Sequence, residues 1–297
     1  MARDFLTIKD FTATEIAGLL DMAVDYKVGG AGNKSLLGRS IGMLFHKPST
    51  RTRVSFEVGI YQLGGQPLNI TLEQSQLSRG ESFADTARVL SRYLNGIVIR
   101  TFEHEIAVIV AAYASVPVIN GLTDTHHPCQ ILADLMTIKE KKGTLKGIKI
   151  AYIGDGNNVA NSLIEGAAQM DMNLTIASPQ GYEPSPDILS TNDSNRITVV
   201  RDPRDAATGA DVLYTDVWTS MGDKARVEEK ITKFAAYQIN DELLSYARPD
   251  CIVLHCLPAH RGQEITDSVI EGKHSAVFDQ AENRLHTQKA VLEMLIK

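Results

Sequence analysis

Apolar residues in this chain fall into short continuous blocks, and amphipathic stretches separate them. Ile41-Gly42-Met43-Leu44-Phe45 is a block of strand length. Similar blocks stand at Pro67–Ile70, Gly96–Arg100, Val116–Asn120, Ile148–Ile153, Leu174–Ala177, Ile197–Val200, Val212–Thr215 and Ile252–Leu254. Between them the pattern changes to a helical period. Ile16, Leu19, Leu20 and Ala23 share one face, behind a capping-box pair at Thr12 and Glu15, and Gly29, Gly30 and Gly32 close that helix. Val54, Phe56, Val58, Ile60, Tyr61 and Leu63 are read as one side of a second helix, stopped by Gly64-Gly65. Further helices are expected from Ser82 to Leu94 (Phe83, Ala87, Leu90 and Leu94 inward), over Ile106–Ala114, and from Thr125–Gln130 through Asp134 and Thr137. An amphipathic helix closes the sequence from Gln280 to Lys297, carrying Arg284, Ala290, Leu292 and Leu295.

Strand alternating with helix predicts an α/β protein. The expected architecture is two doubly wound domains, each a mostly parallel sheet covered by helices. The polar, Gly-bearing run Lys141–Gly147 is the expected boundary, giving residues 1–142 and 147–279, with 280–297 returning to the first domain. Ligands in such sheets bind at the carboxyl ends of the strands. Four features occupy that position: Ser49-Thr50-Arg51-Thr52-Arg53, Arg100, His127 and Gln130. The first sits where a strand turns into a helix, with Ser49 as a natural N-cap. Two readings are open for it alone: an oxyanion cradle of hydroxyls, guanidinium groups and helix-end amides, or a capped helix with two solvated arginines. The recurrence of candidates at one sheet edge favours the cradle.

In the second half, Gly154-Asp155-Gly156-Asn157-Asn158 turns from strand to helix. The third glycine of a dinucleotide fingerprint would fall at Val159, so NAD binding is disfavoured and the turn is read as presenting Asn157 and Asn158 to a ligand. Two further loops follow strands, Thr215–Gly222 with the sole tryptophan and His255–Gly262.

Composition narrows the class. The chain has 297 residues, 43% hydrophobic and 22% charged, with a net charge of −6. That balance argues against nucleic acid or an anionic membrane as a general partner, so an anion must be held by local arginines. Met1–Phe5 lacks a signal-peptide core, and no apolar run has bilayer-spanning length. Three cysteines, Cys129, Cys251 and Cys256, form no paired motif, which points to a reducing cytoplasm without a disulfide frame or structural zinc. Cys251, placed within a strand, is read as an inert buried thiol.

Five segments in order resemble the aspartate/ornithine carbamoyltransferase family. They are Ser49–Arg53 with Ser55-Phe56-Glu57; Arg79–Ser82 running into Asp85–Leu90; His127-Pro128-Cys129-Gln130 with Leu132-Ala133-Asp134; Asp216-Val217-Trp218 with Ser220-Met221-Gly222; and His255–Ala259. His46 stands where many relatives carry an acidic residue. The resemblance implies carbamoyl phosphate as first substrate and L-ornithine as second, a step of arginine metabolism giving citrulline and phosphate. It implies no cofactor, no metal, and a trimer or multiple of trimers with active sites between subunits.

It also implies the residue roles. Ser49, Thr50, Arg51 and Thr52 would cradle the phosphate. Thr52, Arg100 and His127 would surround the carbamoyl oxygen, and Gln130 would meet the carbamoyl NH2. Pro128, Cys129, Leu257 and Arg284 would complete this substrate's surroundings, and Gln76 would reach the neighbouring subunit's site. Asn158 and Asp216 would hold the α-carboxylate and α-amino groups of ornithine, with Ser220 and Met221 closing over it. Cys256 would take the proton of the δ-amine, as a thiolate favoured by positive surroundings or through a relay. Aspartate relatives carry His-Pro-Leu-Pro where this chain has His255-Cys256-Leu257-Pro258, an N-acetylated amine would offer Asp216 no ammonium, and putrescine lacks the α-groups. Ornithine therefore fits best among acceptors, and a non-catalytic anion-binding protein is the rival from another class.

Overall fold

A computed structural model describes residues 3–297 except 30–33, 72–74, 193–194 and 220–226. Gly30, Gly32, Ser220, Met221 and Gly222, all singled out from the sequence, lie outside the described residues. The chain divides into two compact units, Met1–Met136 with Glu282–Lys297, and Thr137–Ala281.

The first unit holds α1 (Ala13–Lys27), β1 (Ser40–Phe45), α2 (Thr50–Gln62), β2 (Gln66–Thr71), α3 (Phe83–Leu90), β3 (Gly96–Arg100), α4 (His104–Tyr113), β4 (Val118–Leu122) and the start of α5 (Pro128–Lys142). Its four strands are parallel in the order β2-β1-β3-β4. Leu44, Ile97, Ile99 and Val118 of the sheet pack with Ala87, Leu94, Ala107 and Val110 into one core cluster. The capping box on α1 forms as its sequence requires: Thr12 Oγ1 accepts from Glu15 N, and Glu15 Oε2 accepts from Thr12 N.

The second unit continues α5 and adds β5 (Lys149–Ile153), α6 (Asn158–Gln169), β6 (Asn173–Ala177), α7 (Pro186–Ser190), β7 (Ile197–Val200), α8 (Pro203–Ala207), β8 (Val212–Thr215), α9 (Val227–Phe234), α10 (Asp241–Ser245), β9 (Ile252–His255) and α11 (Asp267–Ile270). Its five parallel strands run in the order β7-β6-β5-β8-β9. The last helix, α12 (Val277–Leu295), begins in this unit and ends in the first. Both crossings between units are thus helical, and residues 141–147 lie at and beyond the end of α5. Among the described residues no helix is long and apolar enough to cross a membrane.

Three elements differ from the sequence expectation. On α2 only Phe56, Ile60 and Leu63 of the expected face are buried, together with Thr52 and Gly59. Val54, Val58 and Tyr61 are 45%, 38% and 74% exposed. The two sets are each spaced i, i+4, i+7 but offset by two residues, about 200° around the helix, so they form opposite stripes rather than one face. The fourth strand lies two residues later than expected. Its register against β3 slips between Ile99 and Arg100, so Arg100 pairs with Leu122 past Gly121. A Cβ on Gly121 would stand 3.2 Å from the Ile99 carbonyl oxygen, a tight contact that glycine avoids at the slip. The helix expected to Leu94 stops at Leu90, although Leu94 stays buried through the turn that follows.

Candidate active site

Each unit carries a cluster of polar groups at the carboxyl ends of its strands. In the first unit the chain leaves β1 at Phe45 and enters α2 at Thr50. Ser49 adopts an extended backbone and its Oγ accepts from Thr52 N at 3.2 Å, so the expected N-cap is formed. Thr52 is 1% exposed, and its hydroxyl accepts from two guanidinium groups, Arg100 Nη1 at 3.3 Å and Arg284 Nη2 at 2.7 Å. Arg100 comes from the end of β3 beside the register slip, and Arg284 from α12. Both are nearly buried, which concentrates two fixed positive charges on one hydroxyl.

His127 is 5% exposed next to this pair. Burial, then Arg284 and Arg100, hold its imidazole well below the usual histidine range, so it is neutral at pH 7. A neutral imidazole donates one hydrogen bond without adding a third charge. One turn into α5, Gln130 is fully buried, and its Nε2 donates to Asp134 Oδ1 at 2.8 Å. That bond fixes the amide's orientation and leaves Oε1 as a buried acceptor with no partner among the described residues. Such an atom is open to a donor from outside the protein, a water or a ligand N–H.

Pro128 opens α5, and Cys129 is spent structurally. Its thiol donates to Asn120 O, and burial pushes its pKa up to about 12. Burial likewise raises Cys251 to about 12; that residue immediately precedes β9 rather than lying within it. Ser49 and Arg51 are half-buried and Thr50 is exposed. A cavity of about 180 Å³ opens here, with Ser49, His46, Arg53, Asn69 and Thr71 in its wall. Burial holds the His46 imidazole below its usual value, which favours the neutral ring, so this position carries neither the negative charge of an acidic residue nor a positive one. Gln76 is exposed on a 3-10 turn, Gln76–Arg79, away from any hydrogen bond to this cluster.

In the second unit a chain of hydrogen bonds joins three strand ends. Tyr152 OH donates to Asn157 Oδ1 at 3.2 Å, Asn157 Nδ2 donates to Asp216 Oδ2 at 2.7 Å, and Cys256 Sγ donates to Asp216 Oδ1 at 2.9 Å. Asn157 also caps α6 by accepting from Val159 N and Ala160 N. Its side chain is therefore occupied, while Asn158 is the first residue of the helix and half-buried. Asp216 is 7% exposed, and Trp218, two residues on, packs its ring against Phe234 at 5.7 Å. The near neighbour of Cys256 is a carboxylate.

The loop bearing Cys256 is held from behind. His255 Nδ1 accepts from Leu257 N at 2.9 Å, which places the proton on Nε2, facing Glu264 Oε1 at 3.0 Å with both side chains wholly buried. Leu257 is thereby kept at φ 57°, a left-handed conformation that leucine rarely adopts. Asp216, His255 and Cys256 each place a possible metal ligand within 4.8 Å of the others. Both nitrogens of His255 are already engaged, so an ion would have to break one of those bonds.

A shared electrostatic feature marks the helices that carry the candidates. α2, α5 and α6 have no acidic residue in the first turn. Every other α-helix described has at least one. An acid at the N-terminus normally complements the helix dipole. Three helices without one leave positive potential for an anion from outside.

Sequence comparison agrees with this geometry. The family model for the carbamoyl-phosphate-binding domain of aspartate/ornithine carbamoyltransferases matches residues 3–140, and that for the Asp/Orn-binding domain matches residues 146–295. The ornithine carbamoyltransferase of Carboxydothermus hydrogenoformans is 54% identical over 303 residues, covering 99% of this chain and 97% of its own. Among solved structures, ornithine carbamoyltransferase from Pyrococcus furiosus superposes with a TM-score of 0.96 at 49% identity, covering 99% of this chain and 97% of its own. The Thermus thermophilus enzyme of the same description gives 0.93 at 43% identity, with full coverage of both chains. With matched domains over nearly its whole length and half its residues shared with such relatives, this chain belongs to the aspartate/ornithine carbamoyltransferase family.

Proposed function

We propose that this protein transfers the carbamoyl group of carbamoyl phosphate to the δ-amine of L-ornithine, giving L-citrulline and phosphate. The observation that carries this reading is the donor set around Thr52: two buried guanidinium groups on one hydroxyl, beside a neutral histidine and an unpartnered buried amide oxygen. A carbamoyl group presents one oxygen that becomes anionic on attack and one NH2 that needs an acceptor. Arg100, His127 and Thr52 supply donors for the oxygen, where preorganised charge does most of its catalytic work. Gln130 Oε1 accepts from the NH2. The phosphate lies at the α2 N-terminus against Ser49, Thr50, Arg51 and Thr52, with Arg284 completing its charge balance.

On the acceptor side, Asn158 at the α6 N-terminus takes the α-carboxylate of ornithine, and Asp216 takes the α-ammonium. Ser220 and Met221 close over the bound amino acid. The uncharged δ-amine attacks the carbamoyl carbon; the C–O bond to phosphate then breaks, and phosphate leaves with its electron pair. Cys256 accepts the amine proton as its own S–H proton passes to Asp216 Oδ1, so the thiol works as a relay rather than as a preformed thiolate. The Leu257 backbone, fixed by His255, lines the carbamoyl group. Holding both substrates in line supplies a further large part of the rate.

The test is product formation. Carbamoyl phosphate with ornithine yields citrulline, while aspartate, N-acetylornithine and putrescine yield little product under the same conditions. Product from one of those amines and none from ornithine would overturn the acceptor assignment. The reaction is placed in the cytoplasm, in keeping with three free cysteines and no disulfide among the described residues.

The working assembly is a homotrimer or a multiple of it, in which Gln76 reaches a neighbouring subunit's site. The exposed stripe Val54, Val58 and Tyr61 on α2, and Leu68 (41% exposed) on the edge strand β2, support a self-association surface. Light scattering is expected to give a mass of three times 32.5 kDa, or a multiple of that. Co-refolding inactive Gln76→Ala chains with inactive Arg51→Ala chains is expected to restore activity, because hybrids contain sites with both residues intact. No recovery would place Gln76 in its own chain's site or in none.

A further inference from the structure

The second unit buries an ion pair that the mechanism above does not use. Lys230 Nζ of α9 lies 2.9 Å from Asp155 Oδ2, with the two side chains 9% and 15% exposed. Taking both charges out of water costs more than their attraction usually returns, so the pair calls for another role. Asp155 lies in the turn that ends in Asn157 and Asn158, three residues before the proposed α-carboxylate contact.

Two other tethers give that turn its shape. Gly156 N donates to Tyr182 O at 2.7 Å, and a Cβ on Gly156 would stand 2.2 Å from Pro184 N, so the turn is pressed against residues 182–184. Asn157 is fixed by Asp216 and Tyr152. Lys230 also lies 5.5 Å from the centre of the Tyr182 ring, which itself packs on Phe234 of α9 at 5.0 Å. The ammonium is therefore locked over the turn by aromatic packing.

We propose that Lys230 is a positioning residue for the amino-acid substrate, acting through Asp155: its ammonium cancels the Asp155 carboxylate, so that the α6 N-terminus meets the substrate's α-carboxylate without the Asp155 charge competing, and Asp216 is left to pair with the α-ammonium. This rests on the reading of Asn158 as the α-carboxylate contact. It also fits α6 being one of the three helices with no acid in the first turn. The nearest acid on its N-terminal side is Asp155, and that one is neutralised.

Steady-state kinetics decide it. Asn158→Ala tests the underlying reading by itself: an unchanged ornithine KM there would remove the α-carboxylate contact from the α6 N-terminus, whatever the Lys230 variants show. Lys230→Met is expected to raise KM for ornithine by about tenfold or more, from repulsion between the uncancelled Asp155 carboxylate and the substrate's own. KM for carbamoyl phosphate stays within about twofold. Asp155→Asn leaves the two other tethers and removes the charge, so its KM for ornithine is expected at or below the wild-type value. The double variant Asp155→Asn/Lys230→Met returns close to wild type in KM, even if its Tm is lower, and Lys230→Arg retains wild-type KM. A Lys230→Met enzyme with lowered Tm and unchanged ornithine KM would overturn the proposal. Should that variant not fold, Asp155→Asn decides alone, since a rise in its ornithine KM would mean the carboxylate is needed for shape, not cancelled for charge.

Discussion

Replacing Arg100 by methionine is expected to lower kcat for citrulline formation by about two to three orders of magnitude, the usual effect of removing one donor from a preorganised oxyanion site. Arg100 is one of two guanidinium groups on the Thr52 hydroxyl, and it ends the strand that lies between β1 and β4. Methionine keeps most of the length and apolar stem, and Arg284 still holds Thr52 at 2.7 Å. The loss should therefore appear in turnover more than in stability, with Tm little changed. Stopped or continuous citrulline assays at saturating substrates measure it, with thermal unfolding alongside. A fall of less than about tenfold would remove Arg100 from the reacting centre.

Asp216→Asn is expected to lower kcat/KM for ornithine by about 100- to 1000-fold, within the range for truncating one partner of a desolvated charge pair. Both carboxylate oxygens already accept from protein donors, Asn157 Nδ2 and Cys256 Sγ. An amide keeps one acceptor and turns the other position into a donor. Either Asn157 then meets an N–H with its own N–H, or the thiol loses the group that receives its proton. The ammonium of ornithine loses its counter-charge in the same step. KM for carbamoyl phosphate, most of whose proposed contacts lie in the other unit, is expected to stay within about twofold. Equal losses for both substrates would indicate a collapse of the second unit rather than loss of a contact.

The strands and most helices were legible because their burial is simple. β3 has the bounds its apolar block implies, and all five of its residues are buried. What misled was α2, where two apolar stripes of equal spacing read as one face, and nothing local to the sequence tells a core stripe from an exposed one. The β4 shift was hidden for a related reason: its register depends on how close Gly121 comes to β3, a tertiary fact.

The site shows the same division. Ser49, Arg100, His127 and Gln130 were found by position at strand ends and reinforced by resemblance. The groups that orient them were not. Tyr152 reads as one more apolar strand residue, yet its hydroxyl fixes Asn157. His255 and Glu264 are nine residues apart with no motif spacing between them, yet they hold the Leu257 backbone. One available signal was missed. The absence of acids from the first turns of α2, α5 and α6 is written in the sequence and separates the helices that carry the candidate residues from all the other α-helices described.

The position of Arg284 has a consequence for how the protein is made. The unit that contains Thr52 and Arg100 also contains Glu282–Lys297, which the ribosome makes only after the whole of the second unit. A nascent chain can close the parallel sheet β2-β1-β3-β4 long before that stretch exists. It then holds Thr52 with only one of its two guanidinium partners, and its anion site is unfinished through the whole synthesis of the second unit. The pair of guanidinium groups on Thr52 is thus completed only after the second unit has been synthesised, when α12 supplies Arg284.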